Sequence, residues 1–142
     1  FTLSNDVPML KAPQAEERGM GYRSEVVFAV SEEVIPALMC LFAKKPEVQK
    51  LCTADSELDT AYHGGWLMRW DDIKWYESDT VINDLVNFID ALESDDLSDY
   101  GLDVDEDWYY RFKFVRIGED HHDVESKGSG FDDIQVNRAI SY

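Results

Sequence analysis

The sequence predicts an α+β domain in which two helices pack on one face of a mostly antiparallel sheet of four to five strands. The plan is close to the ferredoxin-like split βαβ arrangement with an added C-terminal strand. Three observations carry this expectation. Residues 22–30 alternate with a period of two, and Val81, Leu85, Phe88 and Leu92 are spaced by four, three and four. Segments of these two kinds then follow one another as strand, helix, hairpin, helix, strand, strand. A length of 142 residues allows one core of ordinary size and too little for two.

The first strand follows Gly21, with Tyr22, Ser24, Val26, Phe28 and Val30 on the face that is strongly buried. Ser31, Glu32 and Glu33 make a helix start: a hydroxyl to accept a backbone N–H, and two carboxylates near the positive end of the dipole. Pro36 belongs in the first turn of that helix, where its missing donor costs nothing. Val34, Leu38, Leu41 and Phe42 share a face. Lys44 and Lys45 sit at the negative end before Pro46, and Glu47 to Cys52 add a short second piece.

Leu58 to Tyr76 form a hairpin turned at His63, Gly64 and Gly65. Trp66, Met68 and Trp70 are apolar at even positions, whereas Ile73 and Trp75 are apolar at odd ones. One extra residue at a bulge around Asp71 and Asp72 accounts for the change of phase. The second helix is capped by Ser78, Asp79 or Thr80. Residues 93–107 hold eight acids and no base, and read as a solvated connection. A strand from Trp108 to Ile117 puts Tyr110, Phe112 and Phe114 on one face and Arg111 and Lys113 on the other. A loop from Gly118 to Gly130 leads to a last strand with Ile134, Val136, Ile140 and Tyr142 on the face of Arg138. Residues 1–19, with Asn5, Pro8, Pro13 and Gln14 and no periodicity, read as an N-terminal arm or added extension outside the core.

Charge narrows the function classes. Thirteen Lys and Arg against 30 Asp and Glu leave a formal charge of -17. Residues 93–142 carry five bases and 14 acids, so about half of the excess lies in the last third of the chain. Nucleic acid and anionic membrane repel such a surface, and a protein with a basic or nucleic-acid-binding face becomes the expected partner. No run of 18 apolar residues is present, and the first residues lack the basic and apolar regions of a signal peptide. The expectation is a soluble, non-secreted protein. Cys40 and Cys52, twelve residues apart, fit neither a disulfide framework nor a four-ligand zinc site, and both are expected reduced.

Three motifs carry a resemblance: Met20 followed by Gly21-Tyr22-Arg23-Ser24-Glu25-Val26, then Lys74-Trp75-Tyr76-Glu77-Ser78, then Phe114-Val115-Arg116-Ile117-Gly118-Glu119-Asp120 with Asp123 and Glu125. With the spacing around the two helices, they resemble a family of small proteins of tailed bacteriophages over Met20 to Tyr142. The resemblance implies a phage protein acting in the bacterial cytoplasm or in the virion, and brings no catalytic residues with it.

Each candidate for chemistry has a plainer structural counterpart. Glu119, Asp120, His121, His122 and Asp123 offer oxygen and imidazole ligands, but adjacent loop histidines reach one ion only in special geometries, and a solvated loop explains them better. A calcium loop from Asp96 places Gly101 correctly but puts Tyr100 at the fifth position and Asp107 at the twelfth. Ser126-Lys127-Gly128-Ser129-Gly130 follows an acidic loop that would repel phosphate, so it reads as a turn. Neither cysteine nor any serine stands in a nucleophile motif. Arg116 and Arg138, on neighbouring strands, are expected to pair with Glu119, Asp120 or Asp133 in a structural network. Among Trp66, Trp70, Trp75 and Trp108, at least two belong to the core, with Trp75 and Tyr76 the exposed aromatic pair.

The leading expectation is therefore a non-enzymatic protein, without metal or cofactor, that binds and modulates a host protein. Its partner-binding rim combines Glu93, Asp95, Asp96, Asp99, Asp103, Asp105, Glu106 and Asp107 with Glu119, Asp120, Trp75 and Tyr76. A dense row of carboxylates can also imitate the charge of duplex DNA, one negative charge per roughly 1.7 Å of axis. The alternatives are a virion-associated or assembly protein docking through the N-terminal arm, and a small metal-dependent enzyme.

Overall fold

The computed structural model describes residues 21–102, 109–120, 122–136 and 140–141. Five antiparallel strands form one sheet: β1 (Ser24–Val30), β2 (Glu57–Tyr62), β3 (Gly65–Ile73), β4 (Phe112–Gly118) and β5 (Val124–Lys127), in the order β2-β3-β1-β4-β5. The order of the first four is that of a split βαβ pair, and β5 is the added strand. Three helices run between them: α1 (Ile35–Lys44), α2 (Pro46–Cys52) and α3 (Thr80–Glu93). A separate two-stranded ribbon, β6 (Gln135–Val136) and β7 (Ile140–Ser141), ends the described chain.

β1 organises the molecule. It pairs with β3 through Val26–Trp70 to Val30–Trp66 and with β4 through Ser24–Gly118 to Val30–Phe112. Val26, Phe28 and Val30 face the helices, where Leu38, Leu41 and Phe42 of α1 and Leu85, Phe88 and Leu92 of α3 close over them. Val27 and Ala29 point the other way and are equally buried, which the sequence pattern did not anticipate. Phe131, Ile134 and Ile140 cover them together with Leu67, Val115 and Ile117. Residues 134–136 and 140–141 therefore do not extend the sheet as its last strand. Ile134 and Ile140 lie against its back face, while the added strand comes from Val124–Lys127, inside the stretch expected to be a loop. Four residues of alternating exposure are too short to stand out against the polar residues around them.

Local chemistry explains most element ends. His63 (φ 49°) and Gly64 (φ 82°) make the two-residue turn between β2 and β3, both in the left-handed region that matches hairpin twist. The register passes from Ser24–Ile73 to Val26–Trp70, so β3 holds one residue more than β1 at Asp71 and Asp72. This is the bulge that the change of phase requires, and it brings Ile73 and Trp75 onto the helix side with Met68 and Trp70. Asp79 caps α3, its side chain accepting the Val81 N–H at 2.9 Å. Ser31 does not cap as expected. Its hydroxyl accepts the Arg111 N–H at 2.9 Å, and its own N–H donates to the Arg111 carbonyl, tying β1 to the approach to β4.

Trp75 is the clearest correction in the core. It is 7% exposed, with its ring 5.8 Å from Trp70 and 5.7 Å from Phe114. The bulge turns it inward, so only the half-buried Tyr76 of the expected pair is near the surface. Trp75→Ala should therefore lower unfolding free energy by about 3–5 kcal/mol, against under about 0.5 kcal/mol for an exposed ring. Urea denaturation followed by circular dichroism reads the difference.

Candidate functional site

The sequence singles out carboxylates, and the structure separates them by what holds them. α3 ends in a Schellman arrangement: the Asp96 N–H donates to the Ala91 carbonyl at 3.1 Å and the Asp95 N–H to the Leu92 carbonyl at 3.4 Å. Asp95 takes the left-handed conformation (φ 57°) that usually falls to glycine or asparagine. The Tyr110 hydroxyl lies 2.5 Å from both the Asp95 carboxylate and the Leu92 carbonyl, sharing its one proton between the two acceptors. Asp96 accepts the Ser98 hydroxyl at 2.7 Å and the Ser98 N–H at 3.3 Å, which holds its carboxyl below the usual range.

Two apolar anchors press this acidic segment onto the helices. Leu97 is buried in the core, and Tyr100 meets Phe88 edge-on at 4.8 Å. The carboxylates of Glu93, Asp95, Asp96 and Asp99 are left at the surface of a backbone fixed from below. The segment is not free of positive charge. Lys44 donates to the Asp99 carbonyl at 2.5 Å, and Lys45 pairs with Asp84 at 3.7 Å. Asp103, Asp105, Glu106 and Asp107 lie outside the described residues.

Glu119 and Asp120 are elsewhere. They begin the turn after β4, whereas the Asp95 segment adjoins the start of β4, so about 20 Å of strand separates them. They belong to a second acidic end rather than to one rim. Much of their polar capacity is used in the turn: Glu119 accepts the Arg23 N–H at 2.5 Å, the Asp120 N–H donates to the Tyr22 oxygen at 3.1 Å, and the Asp120 carboxylate accepts the His122 N–H at 3.2 Å.

Beneath that turn lies a buried ion network. Arg116 is 2% exposed, and donates to Asp123 at 2.6 and 3.1 Å, to Glu125 at 2.6 Å and to the Ser24 hydroxyl at 3.1 Å. Its partners are thus Asp123 and Glu125 rather than Glu119, Asp120 or Asp133, because β5 folds back beside β4 and returns both carboxylates to it. Burial opposes the guanidinium charge, but the two carboxylates outweigh it and hold the group firmly protonated. Tyr22 donates to Asp123 at 2.5 Å, and a Cβ at Gly118 would collide with both groups. The first and third motifs singled out in the sequence meet here, as structural parts of one network. Asp133 instead accepts the Tyr62 hydroxyl, and His63 lies 3.1 Å from it, so it fastens the C-terminal segment to the hairpin tip. Arg138 lies outside the described residues.

One cleft of about 550 Å³ opens beside the acidic segment. Leu92, Glu93 and Asp95, Tyr109 to Phe112, and Ser126 to Gly130 line it. In sequence, Ser126 to Gly130 reads as a turn with no link to α3. The connection needs β5, which aligns Lys127 with Phe114 and carries the turn up to Phe112. Among the described residues, no three His, Cys, Asp or Glu side chains are grouped to hold a metal ion. Both cysteines are free, and burial pushes the Cys52 thiol well up, away from nucleophilic use. No helix among the described residues is long and apolar enough to cross a membrane. Compared with known family models, curated proteins and solved structures, the chain matches none.

The Tyr110 hydroxyl ties the acidic segment to the approach to β4, and burial followed by Asp95 pushes its pKa up. A phenol raised in the folded state contributes stability that is full below about pH 10 and is lost as pH rises through the folded value. Tyr110→Phe should cost about 1 kcal/mol at neutral pH and flatten the fall of stability above about pH 10. Urea midpoints measured from pH 7 to 11 test both effects.

Proposed function

We propose that this chain is a non-enzymatic bacteriophage protein that binds a host protein in the bacterial cytoplasm and modulates it through the acidic end at α3. The observation that carries the proposal is the fixed presentation of Glu93, Asp95, Asp96 and Asp99, four exposed carboxylates on a segment anchored by Leu97 and Tyr100. Ordering that backbone in advance removes an entropic cost that a flexible acidic tail would pay on binding. The phage setting comes from the resemblance of the three sequence motifs. A partner suited to this surface is basic, and one whose basic face also serves nucleic acid would be competed by duplex DNA.

Glu119 and Asp120 lie at the other end of β4, about 20 Å of strand away from this surface. The test starts by capturing partners from infected cells and then titrates the purified pair. Combined Glu93→Gln, Asp95→Asn, Asp96→Asn and Asp99→Asn should weaken binding at least about tenfold at low salt, while amide oxygens keep the local hydrogen bonds. Wild-type affinity should also fall steeply between 50 and 500 mM salt, by analogy with other charge-driven association. An affinity indifferent to both changes would rule the proposal out.

A further inference from the structure

The cover on the back of the sheet is held differently from the helices on its front. Backbone bonds tie the chain to the body as far as Gly130, whose N–H donates to the Phe112 carbonyl at 3.1 Å. Beyond it, the backbone bonds among the described residues stay inside the segment: the Ile134 N–H donates to the Phe131 carbonyl at 3.0 Å, and β6 pairs with β7. Phe131, Ile134 and Ile140 rest on Val27, Ala29, Leu67, Val115 and Ile117 through side-chain packing.

The segment also starts under strain. Phe131 has φ 59°, a left-handed conformation that an aromatic residue adopts when its surroundings impose it. A clasp at the hairpin tip imposes it here. The Phe131 ring lies 5.5 Å from Tyr62 and 5.9 Å from His63, with the Arg111 guanidinium 4.7 Å from its centre. Two residues on, the Asp133 carboxylate accepts the Tyr62 hydroxyl and has His63 Nε2 at 3.1 Å, and these two neighbours hold it below the usual carboxylate range. The His63 and Asp133 side chains are 51% and 44% exposed, so water competes for the bond between them.

We infer that Phe131, Ile134 and Ile140 belong to a strap, hinged after Gly130, that swings off the back of the folded sheet as a unit, with the Asp133 clasp setting how often it opens. Opening relieves the Phe131 backbone, while β1 keeps its pairing with β3 and β4 and its cover of helices. The cost is the apolar contact of three large side chains, a fraction of the whole core, which places the opening below global unfolding. It uncovers Val27, Ala29, Leu67, Val115 and Ile117, an apolar face on a chain of charge -17. The strap is separate from the acidic end at α3 and stands whether or not that end binds a basic protein.

Thiol labelling of the full chain carrying Ala29→Cys, mapped peptide by peptide by mass spectrometry, tests the inference. Ala29 is fully buried under the strap, so a thiol at that position reacts when its cover leaves. Labelling there should run at least about tenfold faster than global unfolding allows, with the unfolding constant taken from urea denaturation of the same variant. Adding Asp133→Ala or Tyr62→Phe should raise the labelling rate about fivefold, whereas Asp132→Ala, at an exposed neighbour, should leave it unchanged. Labelling no faster than global unfolding allows, or a rate indifferent to both clasp substitutions, overturns the strap. Where Ala29→Cys does not fold, hydrogen exchange of the Ile134 amide in the unsubstituted chain decides the matter. Its urea dependence should be measurable but shallower than that of the Val26 to Val30 amides. A dependence equal to theirs, or none, overturns the strap as well.

Discussion

The central strand imposes the constraint from which the rest of the architecture follows. β1 spends its backbone hydrogen-bonding capacity on β3 and β4, and Val26 through Val30 have no exposed surface. A strand so placed needs a cover on each face as well as a neighbour on each edge. The helices supply one cover. Phe131, Ile134 and Ile140 supply the other, which is why a short and mostly polar C-terminal segment is held against the sheet at all. Its attachment to the body comes from side chains: Asp133 to Tyr62 and His63, and Phe131 against Tyr62 and Arg111.

Where the chain alternates or repeats strongly, its architecture could be read directly. β1, the hairpin turn, the bulge at Asp71 and Asp72 and the apolar face of α3 all follow from period and turn chemistry. What escaped were features decided by distant residues. Val124 to Lys127 becomes a strand because β4 offers an open edge, and Val27 and Ala29 are buried because residues more than a hundred positions away lie over them. The direction in which Trp75 points was implicit in the same bulge, but its neighbour Phe114 is supplied by β4. The candidate site shows the same division. Its carboxylates were visible as composition, whereas the cleft joining α3 to the Ser126 to Gly130 turn exists only once β5 is paired.

A chain with a charge of -17 uses its acids in different ways. Asp123 and Glu125 neutralise a buried cation, and losing both would leave Arg116 with an uncompensated charge in a low-dielectric setting. Asp79 caps a helix, Asp133 fastens a segment, and Asp96 shapes a turn. Net charge therefore says little about how much negative surface remains for recognition. The distinction lies in which carboxylates already have donors, and that distinction separates Glu93 from Asp120.

The path of the chain over the back of the sheet also bears on synthesis. Val27 pairs with Val115 and is covered by Phe131, Ile134 and Ile140, which follow it in synthesis by more than a hundred residues. Until Ile140 emerges, a nascent chain with β1, β3 and β4 already paired would carry an uncovered strip of Val27, Ala29, Leu67, Val115 and Ile117. Such a strip is a template for association with other nascent chains. Closure of this face thus waits on Phe131, Ile134 and Ile140, whose docking is the closing step for the sheet.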